Sequence, residues 1–240
     1  MLGPVIGEIL PPAVAVGEAF GDDLASAATL FPAEEEIIAR AVAKRRQEFT
    51  TGRACARAAL ARLGLPPMAI PRGERGDPQW PEGVVGSITH CTGYRAGAVA
   101  WRRDVRTIGL DAEPHGPLPP GVLSAVASPA EQAQLAELAA DHPPVHWDRL
   151  LFSAKESVYK AWYPLTSQWL GFSDATIDFT PAPASGASPA TAAGAPAPDS
   201  GAATGQFTAR ILLAGTPITG FEGRWRVDNG LLATAIAVPA

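Results

Sequence analysis

The sequence predicts an α+β fold, because a long helical segment followed by short strands occurs twice along its 240 residues. The first helix precedes strands at 84–88, 95–101 and 106–111, and the second precedes four further strands. Hydrophobic residues make up 47% of the chain, which is enough for a real core. At this length the chain forms one large domain or two small ones.

The N-terminal residues are predicted to be irregular apart from one strand, at 5–9 or at 13–16. Pro32 is followed by Glu34 and two further glutamates, and this pattern is typical of a helix start with acids in the first turn. That helix is predicted to run to about Leu63, with a break near 50–52.

A loop rich in proline and glycine is predicted at 66–83, after Gly64 ends the first helix. After the first strands, 114–127 is predicted to be a linker-like crossing. Residues 128–131 form a capping box with proline at the first helical position, so a helix begins there and ends before Pro143.

The second long helix is predicted at 147–163, followed by Pro164. Hydrophobic alternation then predicts four strands, of which the last two form a hairpin around Asn229 and Gly230. The strands are expected at 175–179, 206–213, 222–228 and 231–238. Residues 181–205 are nearly all Ala, Pro, Gly, Ser and Thr, so we expect a disordered insertion that is dispensable for catalysis.

Composition excludes several classes of protein. The net charge of -5 disfavours general nucleic-acid binding, and the basic residues are concentrated around 40–62, as a local anionic ligand requires. No apolar run approaches the length of a membrane span, and the first basic residue is Arg40, so a signal peptide is not expected. The chain has two cysteines, Cys55 and Cys91, which give neither a disulfide framework nor the spacing of a zinc site. Both are therefore predicted to be buried packing residues. The expected protein is a reduced, cytoplasmic enzyme.

Two carboxylates lie where a short apolar strand is predicted to end. Asp111 and Glu113 are i and i+2, so both side chains point to the same side of an extended segment. Carboxylate oxygens with open coordination positions suit Mg²⁺. A solvated pair of surface acids is the alternative for such a short motif.

The predicted helix at 147–163 carries two of the three lysines of the chain. Lys155, Glu156 and Lys160 fall outside its apolar stripe. Glu156 and Lys160 are i and i+4, so the plain interpretation is a surface ion pair worth about 0.3–0.5 kcal/mol. The alternative makes Glu156 a third metal ligand and the lysines phosphate contacts, which points to phosphoryl-type transfer.

Three motifs in this order resemble those of the 4'-phosphopantetheinyl transferases. They are Ser87-Ile88-Thr89-His90, the run from Ile108 to Glu113, and the run from Phe152 to Lys160 with its Lys-Glu pair and a lysine four residues after the glutamate. The similarity is greatest to the surfactin-type class, in its enterobactin synthase component D-like branch. It covers roughly residues 30–180.

The resemblance implies two similar α+β halves, 1–113 and 114–240, with the active site in the cleft between them. It implies transfer of 4'-phosphopantetheine from coenzyme A to a serine of an apo acyl- or peptidyl-carrier protein, with release of adenosine 3',5'-bisphosphate. Mg²⁺, or Mn²⁺ in its place, is the expected metal, and the expected protein is a monomer. The pathway stays open between fatty acid, polyketide, nonribosomal peptide and siderophore biosynthesis.

By the same resemblance, Asp111, Glu113 and Glu156 are the metal ligands, and Glu156 is also the candidate base for the serine proton. Lys160 and Lys155 resemble lysines that contact the phosphates, and Lys160 would stabilise charge that develops during transfer.

The coenzyme A phosphate contacts are also implied by the resemblance. His90 resembles the histidine that binds the 3'-phosphate, and Ser87 and Thr89 add hydroxyl donors around it.

Arginines complete this expected anion site. Arg45 and Arg53 match the family's basic contacts on the first helix, with Arg46 as a helical alternative to Arg45. Arg72 stands where relatives have a lysine, and Arg75 is the alternative there. The forked donors of arginine fit a phosphate bidentately.

Two other functions compete with the transferase. A metal-dependent phosphohydrolase acting on coenzyme A or a nucleotide would use the same acids to activate water. A non-catalytic module that binds carrier proteins would have no use for a metal site.

Overall fold

The computed structural model describes residues 3–21, 28–183 and 202–240, which form two antiparallel sheets, each covered by a long helix. The strands are β1 (Ala15–Phe20), β2 (Val84–Cys91), β3 (Tyr94–Trp101), β4 (Val105–Pro114), β5 (Ala175–Pro181), β6 (Ala203–Ile211), β7 (Gly220–Asp228) and β8 (Leu231–Pro239). The α-helices are α1 (Pro32–Ile37), α2 (Ala43–Arg62), α3 (Val122–Val126), α4 (Pro129–Asp141) and α5 (Trp147–Thr166). The predicted α+β class is confirmed. Across these ranges, each helix is too short or too polar to cross a membrane.

The first sheet has the strand order β1-β3-β2 and is covered by α2. Glycines bring its strands against the helix backbone. A Cβ on Gly97 would lie 2.7 Å from the Cα of Ala56, and one on Gly17 would lie 2.2 Å from the carbonyl oxygen of Cys55. Larger side chains at either position would push the helix off the sheet.

The second sheet has the order β4-β8-β7-β6-β5 and is covered by α5. Here too a glycine permits close packing, because a Cβ on Gly109 would lie 2.0 Å from the carbonyl oxygen of Ser157. The aromatic residues Trp147, Trp162 and Trp225 are buried in this core. Each sheet therefore carries a 20-residue helix held against a strand glycine.

The two sheets meet along β2 and β4. The Ser87 hydroxyl accepts the N–H of Leu110 at 3.2 Å, and the Thr89 hydroxyl accepts the N–H of Ala112 at 3.0 Å. Side-chain oxygens thus satisfy backbone donors at the edge of the second sheet, since β4 is a terminal strand in its order. β4 belongs to the predicted first half, 1–113, yet it pairs with β8; the boundary itself stays a prediction.

The predicted break in the first helix was misplaced. The helix is interrupted between Ile37 and Ala43, whereas 50–52 lies inside α2. Thr50 is accommodated there because its hydroxyl donates to the carbonyl of Arg46 at 2.8 Å. Gly52 lies beside Ile88 of the neighbouring sheet.

Other boundaries also differ from the sequence predictions. β4 continues to Pro114, because pairing with β8 reaches Leu231, so Asp111 lies within the strand rather than at its end. The last long helix passes through Pro164, which removes only one N–H, and the N–H of Ser167 still reaches the carbonyl of Tyr163 at 2.8 Å.

Several predictions outside the long helices are confirmed. The capping box of Ser128 and Glu131 is present. The last hairpin turns at Asn229 and Gly230, whose φ angles are 53° and 72°. Of the two alternatives near the N-terminus, the strand at 15–20 overlaps the second.

The predicted linker and insertion differ in detail. The short helix α3 lies within 114–127. Of the predicted insertion at 181–205, residues 184–201 lie outside the described residues, and its two ends belong to the paired strands β5 and β6.

Candidate active site

The centre of the candidate site is an ion pair between β4 and α5. The Lys160 ammonium donates to Oδ1 of Asp111 at 2.7 Å, and the Thr89 hydroxyl lies 3.5 Å from the same oxygen. Asp111 is only 5% exposed, and its other oxygen, Oδ2, is buried without a hydrogen-bond partner among the described residues. A buried carboxylate oxygen without a donor is costly, so this atom suits a cation.

Three buried hydroxyls hold α5 against β8 beneath this pair. The Thr234 hydroxyl donates to the carbonyl of Ser153 at 3.0 Å, and its oxygen lies 2.9 Å from the Ser153 hydroxyl and 2.6 Å from the Ser157 hydroxyl. Thr234 is opposite Asp111 in the β4–β8 register. The network therefore fixes where the helix that carries Lys160 stands relative to Asp111.

Asp111, Glu113 and Glu156 together form the acidic group of the candidate site. Arg149 donates to Glu113 at 2.9 Å and also binds the carbonyls of Gly116 and Pro117. Burial raises the pKa of Glu113, and the nearby Asp111 raises it further.

Burial also raises the pKa of Glu156, although Lys160 acts in the opposite direction. Within the described ranges, neither a hydrogen bond nor an ion pair engages this carboxylate. Glu156 is therefore available both to a cation and to a proton.

The predicted metal ligands fit a hard cation by chemistry but are not gathered into a finished site. Across the described residues, no three acidic, imidazole or thiol groups form a cluster with the geometry of a metal centre. Asp111 nevertheless offers the orphaned oxygen Oδ2, and it is electrostatically coupled to both Glu113 and Glu156. All three donors are oxygens of the kind that Mg²⁺ prefers. The ligand set stays a prediction.

A cavity of about 990 Å³ lies between α5 and the segment from Gly73 to Ile88. Glu156 and Lys160 line its helical wall, so Lys160 connects the cavity to Asp111. The opposite wall includes Arg75. A ligand in this cavity would therefore meet an ammonium group at one end.

A second basic group surrounds His90. Arg45 donates to Nε2 of His90 at 2.8 Å, which makes this ring nitrogen the acceptor. Burial lowers the pKa of His90, and Arg45 and Lys160 add to this effect. Arg46 instead pairs with Glu35 at 2.5 Å. Of the two alternatives at 45 and 46, Arg45 is the one that lies beside His90.

Arg53 lies deeper, with 6% of its surface exposed, over the ring of Phe49. Burial, together with the cations Arg57, Arg45 and Arg72, lowers its pKa to about 10 against the opposing effect of Glu34. The side chain stays charged at neutral pH. Such a concentration of guanidinium groups favours an anionic ligand.

The guanidinium group of Arg72 lies against Gly76, whose φ of 89° suits glycine. Arg72 acts on Arg53, whereas the alternative Arg75 lines the cavity and acts on Tyr159. The phosphate contact predicted for Arg72 stays a prediction, as does the alternative at Arg75.

Lys155 is the predicted site residue that the structure does not bring into this group. Its ammonium donates to Glu131, at 2.9 and 3.0 Å from the two oxygens, and to the carbonyls of Val126 and Phe172 at 2.7 and 2.9 Å. An ammonium has three donors, and all three are therefore used. This placement argues against the predicted phosphate contact and favours a structural role.

Ser87 and Thr89 also have structural partners, since their hydroxyls accept backbone donors of β4. Thr89 is 2% exposed and Ser87 is 4% exposed. Ser87 still lines the cavity wall, whereas Thr89 faces Asp111. Cys55 and Cys91 are buried and free, as predicted, and burial raises the pKa of each to about 12.

Sequence reasoning missed Arg149 and Thr234. Arg149 had a signal, because it precedes Glu156 by seven residues and Lys160 by eleven, so all three share one helix face. Thr234 had none, because a threonine in a predicted strand is ordinary.

Comparison with known proteins identifies the family. Two family models match, the 4'-phosphopantetheinyl transferase N-terminal domain over residues 33–100 and the 4'-phosphopantetheinyl transferase superfamily over residues 107–200. The 4'-phosphopantetheinyl transferase PptT of Mycobacterium tuberculosis is 47% identical over 245 residues, which cover 99% of this chain and 99% of the relative.

Two further relatives agree with this assignment. The 4'-phosphopantetheinyl transferase Svp of Streptomyces mobaraensis is 52% identical over 216 residues, or 88% of this chain and 79% of the relative. Enterobactin synthase component D of Salmonella typhi is 32% identical over 125 residues, or 49% of this chain and 48% of the relative. With its fold, its motifs and these relatives in agreement, the chain belongs to the 4'-phosphopantetheinyl transferase superfamily and is a transferase.

Proposed function

We propose that this transferase moves the 4'-phosphopantetheine arm of coenzyme A to a serine hydroxyl of an apo acyl- or peptidyl-carrier protein and releases adenosine 3',5'-bisphosphate. The observation that carries the proposal is the position of Lys160. It lines the cavity, pairs with Asp111 and lies within electrostatic range of His90. One ligand with a diphosphate and a separate phosphate can therefore meet Lys160 and the Arg45–His90 pair together.

In the proposed reaction, the serine oxygen attacks the phosphorus that carries the pantetheine. The bond from this phosphorus to the bridging oxygen breaks, and adenosine 3',5'-bisphosphate leaves with the electron pair. The Lys160 ammonium stabilises the negative charge that develops on the phosphates. Glu156 takes the serine proton, directly or through a water, and a raised pKa makes this carboxylate a better proton acceptor than one with an ordinary pKa.

Asp111, Glu113 and Glu156 would hold Mg²⁺, or Mn²⁺ in its place. When bound, the ion supplies neutralising charge to the diphosphate. Arg149 restrains the Glu113 carboxylate through a hydrogen bond of 2.9 Å. We also propose that the enzyme is a monomer, which light scattering would test, and that it is cytoplasmic, which cell fractionation would test. It leaves the carrier protein and its pathway open.

The test is to incubate the purified protein with coenzyme A, Mg²⁺ and a panel of apo carrier proteins and to record intact masses. We expect a gain of one phosphopantetheine that requires the metal and the acceptor serine. A carrier with that serine replaced by alanine is the matched control. Cleavage of coenzyme A without protein modification would instead support the phosphohydrolase. Carrier binding with coenzyme A left intact would support the non-catalytic module.

A further inference from the structure

Glu48 lies between a buried arginine and an exposed one. On α2, its carboxylate is 3.7 Å from a guanidinium nitrogen of Arg95 and 3.9 Å from one of Arg45. The side chain of Glu48 is 15% exposed, whereas that of Arg45 is 47% exposed. The carboxylate therefore connects the protein interior to a side chain at the surface.

The buried end of this connection is rigid. Arg95 is 2% exposed, and one of its guanidinium nitrogens donates to the carbonyls of Cys91 and Tyr94. These backbone atoms belong to β2 and β3, which are paired along their length. Arg95 thus gives Glu48 a fixed partner within the first sheet.

The surface end is Arg45, a long side chain with many rotamers in solvent. Among the described residues two contacts restrict it, the hydrogen bond to His90 at 2.8 Å and the attraction of Glu48. The charge of Glu48 also acts on His90 directly. The sequence gives no sign of this role, because a glutamate three residues after an arginine is an ordinary helical ion pair.

We propose that Glu48 is a positioning residue, which holds Arg45 beside His90 in the arrangement that receives the 3'-phosphate of coenzyme A. The inference rests on the proposed function, in which Arg45 and His90 bind this phosphate. Glu48 does not touch the ligand. It transmits the fixed position of Arg95 to an exposed side chain whose other restraint, among the described residues, is the hydrogen bond to His90.

The sign of the effect separates positioning from direct repulsion between the Glu48 carboxylate and the phosphate. A carboxylate near an anion site repels the anion, so removing its charge should by Coulomb's law alone lower the KM for coenzyme A. If Glu48 positions Arg45, removing its charge should instead raise the KM for coenzyme A. If Arg45 occupies the binding arrangement in only about 10–20% of molecules without Glu48, the apparent dissociation constant rises about five- to tenfold.

The experiment compares Glu48→Gln with the wild type, using coenzyme A and 3'-dephospho-coenzyme A as donors. We expect the KM for coenzyme A to rise about five- to tenfold with kcat unchanged, and the KM for the dephospho donor to stay the same. Calorimetry with adenosine 3',5'-bisphosphate and with adenosine 5'-monophosphate should show the same selective loss. Glu48→Asp, which keeps the charge, should recover part of the affinity.

The control variant is Glu35→Gln, which breaks the neighbouring ion pair with Arg46 at 2.5 Å and should leave both KM values unchanged. An unchanged or lower KM for coenzyme A in Glu48→Gln would overturn the proposal. So would an equal rise for both donors, because that would indicate a general structural defect. Failure of the proposed function has a different result, in which the wild type neither transfers from coenzyme A nor binds the bisphosphate.

Discussion

Replacing Lys155 with methionine would show whether this lysine supports the fold or contacts the phosphates. Lys155 and Lys160 lie five residues apart on α5 but have different surroundings. The side chain of Lys155 is 3% exposed and that of its partner Glu131 is 4% exposed, whereas the side chain of Lys160 is 27% exposed. Methionine keeps most of the hydrocarbon chain of lysine and removes the ammonium group.

The expected loss of stability follows from the charge of Glu131, which remains buried after Lys155 is replaced. Removing one partner of a buried ion pair costs about 3–5 kcal/mol, because the other charge is left uncompensated. Glu131 keeps two backbone donors, the N–H groups of Ser128 and Ile177 at 2.8 and 3.0 Å, so the lower end of this range applies. At about 2–4 °C per kcal/mol for a chain of this size, a loss of about 3 kcal/mol lowers the Tm by about 6–12 °C.

Urea denaturation followed by tryptophan fluorescence can measure this loss, since Trp147, Trp162 and Trp225 are buried in the same core. We expect transfer below the unfolding transition to stay near the wild-type rate. Adding Glu131→Gln to Lys155→Met should recover part of the stability, as a double-mutant cycle would show. A change in stability below about 1 kcal/mol, together with a large loss of transfer, would refute the structural role and restore the phosphate contact.

Three further predictions concern the acidic group and its support. Asp111→Asn should lower transfer about 100-fold or more and abolish Mg²⁺ binding in calorimetry; retention of both would contradict the metal assignment. Because the pKa of Glu156 is raised in the folded state, the native protein binds more protons than the unfolded chain above about pH 4.5. Without divalent ions, wild-type stability should therefore fall relative to Glu156→Gln as the pH rises toward 7, and parallel urea profiles would contradict this. Thr234→Val should cost about 1–3 kcal/mol, because the Ser153 hydroxyl loses its partner and the Ser157 hydroxyl keeps only the carbonyl of residue 234, and it should lower kcat more than it changes KM. Denaturation and steady-state kinetics would test it, and a change confined to KM would count against a positioning role.

Helical spacing was sufficient to place Glu156 and Lys160 on one exposed face, and the structure puts both on the cavity wall. The same spacing also predicted that Lys155 lies outside the buried stripe, whereas its side chain is only 3% exposed. Its partner Glu131 had been recognised from the sequence, but only as a capping residue. Glu131 does cap α4. Its contacts with Lys155 and with the N–H of Ile177 join residues 24 and 46 positions apart. Local sequence carries no information on such contacts.

The hydroxyls of β2 illustrate a similar limit. A serine and a threonine before a histidine suit a phosphate site and suit buried strand contacts equally well. The packing of β2 against β4 shows the strand contacts, and it gives Thr89 the N–H of Ala112 and the carboxylate of Asp111, whereas the phosphate role stays a prediction. The residue types at these positions therefore indicated that they lie near the site. Which atoms their hydroxyls contact could be learned only from the tertiary structure.

These hydroxyl contacts also explain how two separate sheets can share one site. Ser87 meets Leu110 and Thr89 meets Ala112, a constant offset of 23 residues, so β2 and β4 run parallel where they touch. This offset fixes the position of His90 relative to Asp111 along the direction of the strands. A slip of one residue would turn both hydroxyls away from β4, because strand side chains alternate between faces. The residues of the first sheet that we propose to bind phosphate and the carboxylates of the second sheet are thus aligned by two side-chain hydrogen bonds, where a continuous sheet would use a backbone ladder.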